Sequence, residues 1–262
     1  NAVTFLAVLG SIWALRPAEF TPFTRKARGG GQMRAGFRYV KRRPDIQLVL
    51  AMVFLTGTFG YNFPIYTATM AKVEFGEGPE EFGWLSSALA IGSVAGALIA
   101  ARRERPRLRT VTLASLGFGV SLGAAALAPG PVSFAALLVI VGFAGITMMN
   151  TANAYVQTTT SPSMRGRVLA LYLAIFLGGT PIGAPLVGAI ADAAGPRWAI
   201  GAGAASGLIA AAIAAVFYVR TREVRLRWNR RGRWPLTLSR ATPADLDTAT
   251  QEIAIGEAGT QR

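Results

Sequence analysis

Residues 177–197 read LGGTPIGAPLVGAIADAAGPR. The stretch is apolar and helix-length, yet it holds Gly178, Gly179, Gly183 and Gly188 together with Pro181 and Pro185. In water these two residue types weaken a helix more than any others. In lipid the balance differs. No water competes for the backbone, and neighbouring helices or a hydroxyl such as Thr180 can serve the carbonyls that proline frees. Little hydrophobic drive acts between helices there, so small residues that let backbones approach become the packing device. Gly179 and Gly183 are four residues apart and share one helical face. A helix with prolines and a glycine face can bend or slide against its partner, which is what a gate requires.

The rest of the chain agrees with a lipid setting. Of its 262 residues 52% are hydrophobic and 15% charged, below the roughly 25% charged residues of a soluble domain. Residues 132–160, 168–191 and 198–219 carry no charge at all. A spanning helix needs about 20 mostly apolar residues. Six complete spans are expected near 46–71, 82–101, 110–128, 132–160, 168–191 and 198–219. The fold class is an all-α polytopic membrane helix bundle. Residues 1–15, NAVTFLAVLGSIWAL, are apolar without a basic leader, and are expected to be the end of a truncated spanning helix. Residues 16–45 form a loop, 46–219 the six-helix half-bundle, and 220–262 a basic and then disordered tail.

The net charge of +14 could signal nucleic-acid binding. The basic residues argue against it, because they lie between apolar runs. They crowd residues 16–45, 102–109, 165–167 and 220–233, whereas the alternate connections hold Lys72, Arg197 and a group of glutamates, Glu74, Glu77, Glu80 and Glu81. This alternation follows the positive-inside rule. It predicts an integral plasma (inner) membrane protein with both ends cytoplasmic and no nucleic-acid partner. In QMRAGFRYVKRR (32–43), Met33, Phe37 and Val40 fall on one helical face and Arg34, Arg38, Lys41 and Arg42 on another. A short interfacial helix against anionic lipids at the cytoplasmic face is expected, ended by Pro44.

Six spans divide into two triplets, and an odd number of spans inverts the second relative to the first. The middle span of each carries G-x-x-x-G, as Gly92 and Gly96 and as Gly179 and Gly183. These glycines, with Pro181 and Pro185, are the expected gating and packing positions.

The segments GFRYVKRRPDI (36–46), GSVAGALIAARR (92–103), SPSMRGRVLALY (161–172) and GGTPIGAPLVGAIADAAGPRW (178–198) resemble the C-terminal half of a major facilitator superfamily transporter. The resemblance is to the branch of enterobactin-type exporters and macrolide or tetracycline efflux proteins. It implies a twelve-span bundle, a missing N-terminal six-helix half, and an exporter, here expected to be proton-coupled through that half. Arg165 and Arg167 match its cytoplasmic loop motif. Asp192, Gly195 and Arg197 match a related pattern on the outer side. The acidic position of the family's G-x-x-x-D-R-x-G-R-R loop is here Ala100, so that charge relay is absent from this half.

Asn150, Asn153 and Gln157 form one stripe of the fourth span. Amides facing lipid are costly, so they either line a substrate cavity or bond between helices. Tyr61, Asn62 and Phe63 beside Pro64 suit an amphipathic ligand, or an aromatic belt at a kink. Ser86, Ser87, Tyr172 and Thr180 are weaker candidates. No carboxylate is expected inside any span, and the chain has no His and no Cys. That leaves almost no acid–base inventory for an enzyme, and no cofactor or metal site is expected. The functional expectation is secondary active export of a small amphipathic molecule by alternating access. The alternative is a natural six-span half-transporter or membrane scaffold acting as a homodimer.

Overall fold

The computed structural model describes residues 2–14, 32–102, 106–221, 226–228 and 236–238. Helix α1 (Ala2–Trp13) lies in the segment expected to end a span. Helix α2 (Gln32–Lys41) falls where the short interfacial helix is expected. The first span runs from Pro44 to Glu74 and contains α3 (Pro44–Leu55) and α4 (Phe63–Thr69). Spans two to six are α5 (Pro79–Ala101), α6 (Leu108–Ala126), α7 (Pro131–Thr159), α8 (Arg165–Ala194) and α9 (Pro196–Thr221). All six are long and apolar enough to cross a membrane. Beyond α9, β1 (Leu226–Trp228) pairs antiparallel with β2 (Leu236–Leu238), Leu226 opposite Leu238. The other residues of the expected loop at 16–31 and of the tail lie outside the described residues.

Four of the six spans begin on a proline, at 44, 79, 131 and 196. Proline suits the first helical position because its missing N–H would have no intrahelical partner there and its φ is already helical. The helices therefore start one to three residues before the hydropathic edge. This brings Asp45, Glu80 and Glu81 into first turns, and α8 extends past Asp192. The expectation of carboxylate-free spans is corrected accordingly: these residues belong to helices, but to their ends.

The packing follows the inverted triplets. Helix α5 packs along α7, and α8 along the first span. Helices α6 and α9 pack on each other, with α6 also on α7 and α9 also on the first span. Exchanging spans one, two and three for four, five and six maps each contact onto another. The glycines explain how close these seams are. A Cβ on Gly92 would overlap the carbonyl oxygen of Val139, and one on Gly96 would fall 2.6 Å from the carbonyl oxygen of Phe143. On the other seam, a Cβ on Gly183 would overlap the carbonyl oxygen of Thr58, and one on Gly179 would fall 2.7 Å from the Thr58 hydroxyl. Where α6 crosses α9, a Cβ on Gly207 would lie 2.9 Å from the Cα of Gly119.

Helix α8 continues through Pro181 and Pro185, which are exposed. Thr180 is exposed too and makes no side-chain hydrogen bond among the described residues, so the expected repair by its hydroxyl is not found. The interrupted helix is instead the first span. Pro64 cannot bond to Gly60, and the chain passes through a π-turn at Thr56–Gly60 before α4 starts. Side chains serve two carbonyls within the interrupted turn. The Asn62 amide donates to Thr58 O at 2.7 Å, and the Tyr66 hydroxyl donates to Phe59 O.

The buried side chains form two clusters. One, towards the acidic end, centres on Tyr66, Leu85, Phe118, Leu122 and Phe134. The other, towards the arginine-rich end, centres on Ile46, Met52, Val111, Met148 and Tyr172. Tyr61 packs against both.

Substituting the seam glycines should separate them from glycines that merely sit in a helix. Gly92→Ala and Gly183→Ala are expected to overpack the seams by about 1–3 kcal/mol. Gly178 and Gly188 have no atom near the added carbon. Alanine there should be neutral or stabilising by up to about 1 kcal/mol through helix propensity. Thermal unfolding midpoints of the detergent-solubilised variants check this, and equal losses at all four positions would contradict it.

Candidate functional site

A groove of about 370 Å³ opens between the end of α5 and the last three turns of α7. Ala97, Ala100 and Ala101 form one wall, and Pro106 closes an end. The opposite wall carries Asn150, Asn153 and Gln157, with Thr151 and Thr158. The three amides come together because helical spacing places residues 150, 153 and 157 on one side of α7. The Gln157 amide donates to Asn153 Oδ1, which orders the pair and leaves amide donors and acceptors along the groove. Asn150 and Gln157 are exposed and Asn153 is half-buried. Among the described residues the lining has no charged side chain. Such a surface offers hydrogen bonds on one side and small apolar contacts on the other.

Tyr61, Asn62 and Phe63 sit elsewhere, inside the bundle. The Tyr61 hydroxyl donates to Gly145 O at 2.5 Å, and its ring stacks on Phe118 with centroids 5.6 Å apart. Phe63 meets Phe118 edge-on, and Phe176 meets Tyr61 in the same way. Asn62 is buried, with its amide committed to carbonyls of its own span. These residues join spans one, three, four and five and do not line the groove. Tyr172 is likewise buried, its hydroxyl donating to Met149 O at 3.3 Å. Ser86 is half-buried. Ser87 is exposed and bonds back to Gly83 O at 2.9 Å.

The loop-motif residues divide. Arg165 is exposed at the start of α8, and Arg167 packs beside Gly36 of α2. Asp192 is exposed. Gly195 ends α8 with φ +98°, a conformation that favours glycine. Arg197 is a hub at the acidic end. It pairs with Glu74 at 2.6 Å and donates to Ala126 O and Ala128 O, each at 3.0 Å. One guanidinium thereby holds the ends of spans one and three beside the start of span six.

Sequence reasoning missed a second polar cluster, at the arginine-rich end. Arg43 grips Asp45 through two bonds, of 3.0 and 2.8 Å. It also reaches the Tyr39 hydroxyl at 3.2 Å and Thr159 O at 3.0 Å. The Tyr155 hydroxyl donates to Asp45 at 3.0 Å, and the Ser161 N–H donates to the Tyr39 hydroxyl at 3.2 Å. The bond to Asp45 holds the Arg43 guanidinium well above its ordinary pKa, so it stays charged. The bond from Ser161, with the nearby Arg43 charge, lowers that of Tyr39. The cluster ties the start of span one to the end of span four. The sequence signal was Pro44, which places Asp45 in a first helical turn, where a carboxylate is favoured.

The comparisons with known proteins fit this picture. A family model described as Transmembrane secretion effector matches residues 1–241. The chain is also similar to the multidrug efflux pump Tap of Mycolicibacterium fortuitum, with 32% identity over 194 residues. The matched region is 73% of this chain and 47% of the pump, so the chain spans about half the length of the relative it matches.

The cluster generates its own expectation. Asp45→Asn strands the half-buried Arg43 charge, and Arg43→Gln strands the carboxylate. Each should cost about 1–3 kcal/mol of stability. The double substitution should cost less than the sum, because the residues act as a pair. Unfolding midpoints of the two single variants and the double variant measure the coupling, and additive losses would show that the pair does not act as one.

Proposed function

We propose that this chain, which belongs to the transmembrane secretion effector family of the major facilitator superfamily, forms one six-helix half of an exporter of small amphipathic molecules. That it is a multi-pass membrane transporter follows from the family. The finer reading rests on one observation, the groove in which amides of α7 face alanines of α5, uncharged among the described residues. It suits neutral or cationic molecules with a polar edge and an apolar body. It does not suit a phosphate or carboxylate, which would need cationic partners. The multidrug efflux activity named for the relative supports the same class of substrate.

The second half is inferred from coverage and from exposure. The chain matches only 47% of the efflux pump. Spans two and five, which occupy equivalent places in the two triplets, are each only 17% buried, whereas spans one and four are 56% buried. The uncovered faces carry Ile91, Val94 and Leu98 on α5, and Leu177, Ile182 and Leu186 on α8. A second six-helix unit against these faces would roof the groove. Rocking of the two units would then open it to either side in turn. The positive-inside rule puts the arginine-rich end, and both chain ends, in the cytoplasm. The inner membrane is the expected site.

Coupling to protons belongs to the second half in this reading. Asp45 is held in an ion pair, and Asp192 is exposed at a helix end. Neither has the partnerless, mid-membrane setting of a proton carrier. Asp192→Asn is expected to leave the pH dependence of transport in place, and its loss in transport assays across a pH series would overturn that assignment.

Expression of the gene in a drug-sensitive bacterial host tests the function. Accumulation of at least one amphipathic dye or antibiotic should fall, and should rise again when the proton gradient is collapsed. Asn153→Ala with Gln157→Ala should weaken apparent affinity by roughly 2–10-fold, for hydrogen bonds worth about 0.5–1.5 kcal/mol, at unchanged protein level. No change in accumulation for any amphiphile would refute export. Activity from this chain without a second half would favour the homodimer.

A further inference from the structure

Helix α2 has three faces, and the bundle occupies one. Gly36 and Val40 are buried, and a Cβ on Gly36 would stand 3.4 Å from that of Arg167. The contacts of Tyr39 with Arg43 and Ser161 fix the same side. Next to this face runs an apolar edge, where Met33 is 66% and Phe37 56% exposed. The third face carries Arg34, Arg38, Lys41 and Arg42, all exposed. The edge therefore separates the packed side of the helix from its cations. Val40, which the sequence placed with Met33 and Phe37, belongs to the packed side.

Between the end of α2 and the first turn of α3 lies a groove of about 560 Å³, lined by Phe37, Arg38, Val40, Lys41 and Gln47. Gln47 closes it. Its amide donates to Val40 O at 2.9 Å, which also accepts from the Arg43 N–H, and to Lys41 O at 3.0 Å, a carbonyl at the end of α2 where the helix supplies no donor. The carboxylate nearest in sequence, Asp45, is taken by Arg43. Among the described residues neither Arg38 nor Lys41 has an ion-pair partner. Two cations and an exposed aromatic ring thus line one groove on a helix whose orientation is fixed.

We propose that this groove binds the phosphodiester headgroup of an anionic phospholipid, with Arg38 and Lys41 on the phosphate and Met33 and Phe37 against the acyl chain. Charge complementarity selects an anion. The exposed apolar edge beside the cations selects one that carries a hydrocarbon chain, since a soluble anion gains nothing from Met33 and Phe37. The inference deepens the membrane reading above and rests on the arginine-rich end lying at the bilayer surface. Bound lipid would seat α2, and through Tyr39 and Arg43 the cluster that joins spans one and four.

The test is direct binding by the purified full chain in nonionic detergent, which needs no transport and so stands apart from the export assay. Short-chain phosphatidylglycerol should bind at least tenfold more tightly than the matching phosphatidylcholine. Arg38→Gln with Lys41→Gln should weaken phosphatidylglycerol binding by about 25-fold, about fivefold for each cation removed. Phe37→Gln should weaken it too. Arg107→Gln with Arg109→Gln, exposed cations at the same end around the start of α6, should leave it unchanged. Retained helicity by circular dichroism confirms that each variant is folded. Equal loss in the α6 variant would show diffuse charge attraction and overturn the site, as would wild-type binding by the α2 double variant. Glycerol phosphate binding as tightly as the lipid would overturn the lipid in favour of a soluble anion.

Discussion

Residue 183 cannot carry a side chain, because the carbonyl oxygen of Thr58 already occupies the space where one would begin. The same holds at residue 92 against Val139. At these seams the backbones of two helices touch, and dispersion between them replaces the hydrophobic drive that lipid withholds. The two seams are equivalent under the exchange of triplets, so the bundle is fastened twice by one device. The arrangement of the other helices follows. Spans one and four receive the glycine faces and are thereby drawn inward, spans two and five are held by one edge only, and spans three and six close the back through Gly119 and Gly207.

At each end of the bundle a polar device completes what the glycines begin. At the acidic end Arg197 gathers the ends of spans one and three by two carbonyls and a carboxylate. At the other end the Arg43–Asp45 pair, with Tyr39 and Tyr155, joins spans one and four. Both guanidiniums are half-buried and use their planar forks to reach several acceptors at once, which an ammonium could not do. The membrane-spanning interior needs little more. Its polar groups are mostly hydroxyls and amides bonded back to the local backbone, as at Thr56, Asn62 and Thr67.

Periodicity and hydropathy carried the sequence far. Six spans, a helix with apolar and basic faces over 32–41 and the stripe at residues 150, 153 and 157 all depend on spacing within one helix, and each is found. What escaped depends on partners remote in the chain. Tyr61 was weighed as a ligand contact or an interfacial aromatic, and nothing local in YNFP predicts that its hydroxyl would reach Gly145. Asp45 was placed in a loop because hydropathy starts the span at Ile46, whereas proline geometry starts it at Pro44. Its partner Tyr155 lies 110 residues away. Thr180 is expected to serve a carbonyl freed by proline and does not, whereas Asn62 and Tyr66 serve carbonyls of the interrupted turn before Pro64. Two residues in one stretch can compete for a carbonyl on equal terms until the fold decides which carbonyl is orphaned.

Because α5 and α8 are fastened chiefly along a glycine edge, a broad part of their circumference takes no part in holding this bundle together. Residues such as Val94, Leu98, Ile182 and Leu186 can be exchanged for other apolar side chains with little penalty to the fold. That surface is where apolar variation can accumulate without loss of this bundle's fold, within what a second unit packed on it accepts. A lineage could thus retune what these two outlying helices touch, step by step, while the architecture beneath stays as it is.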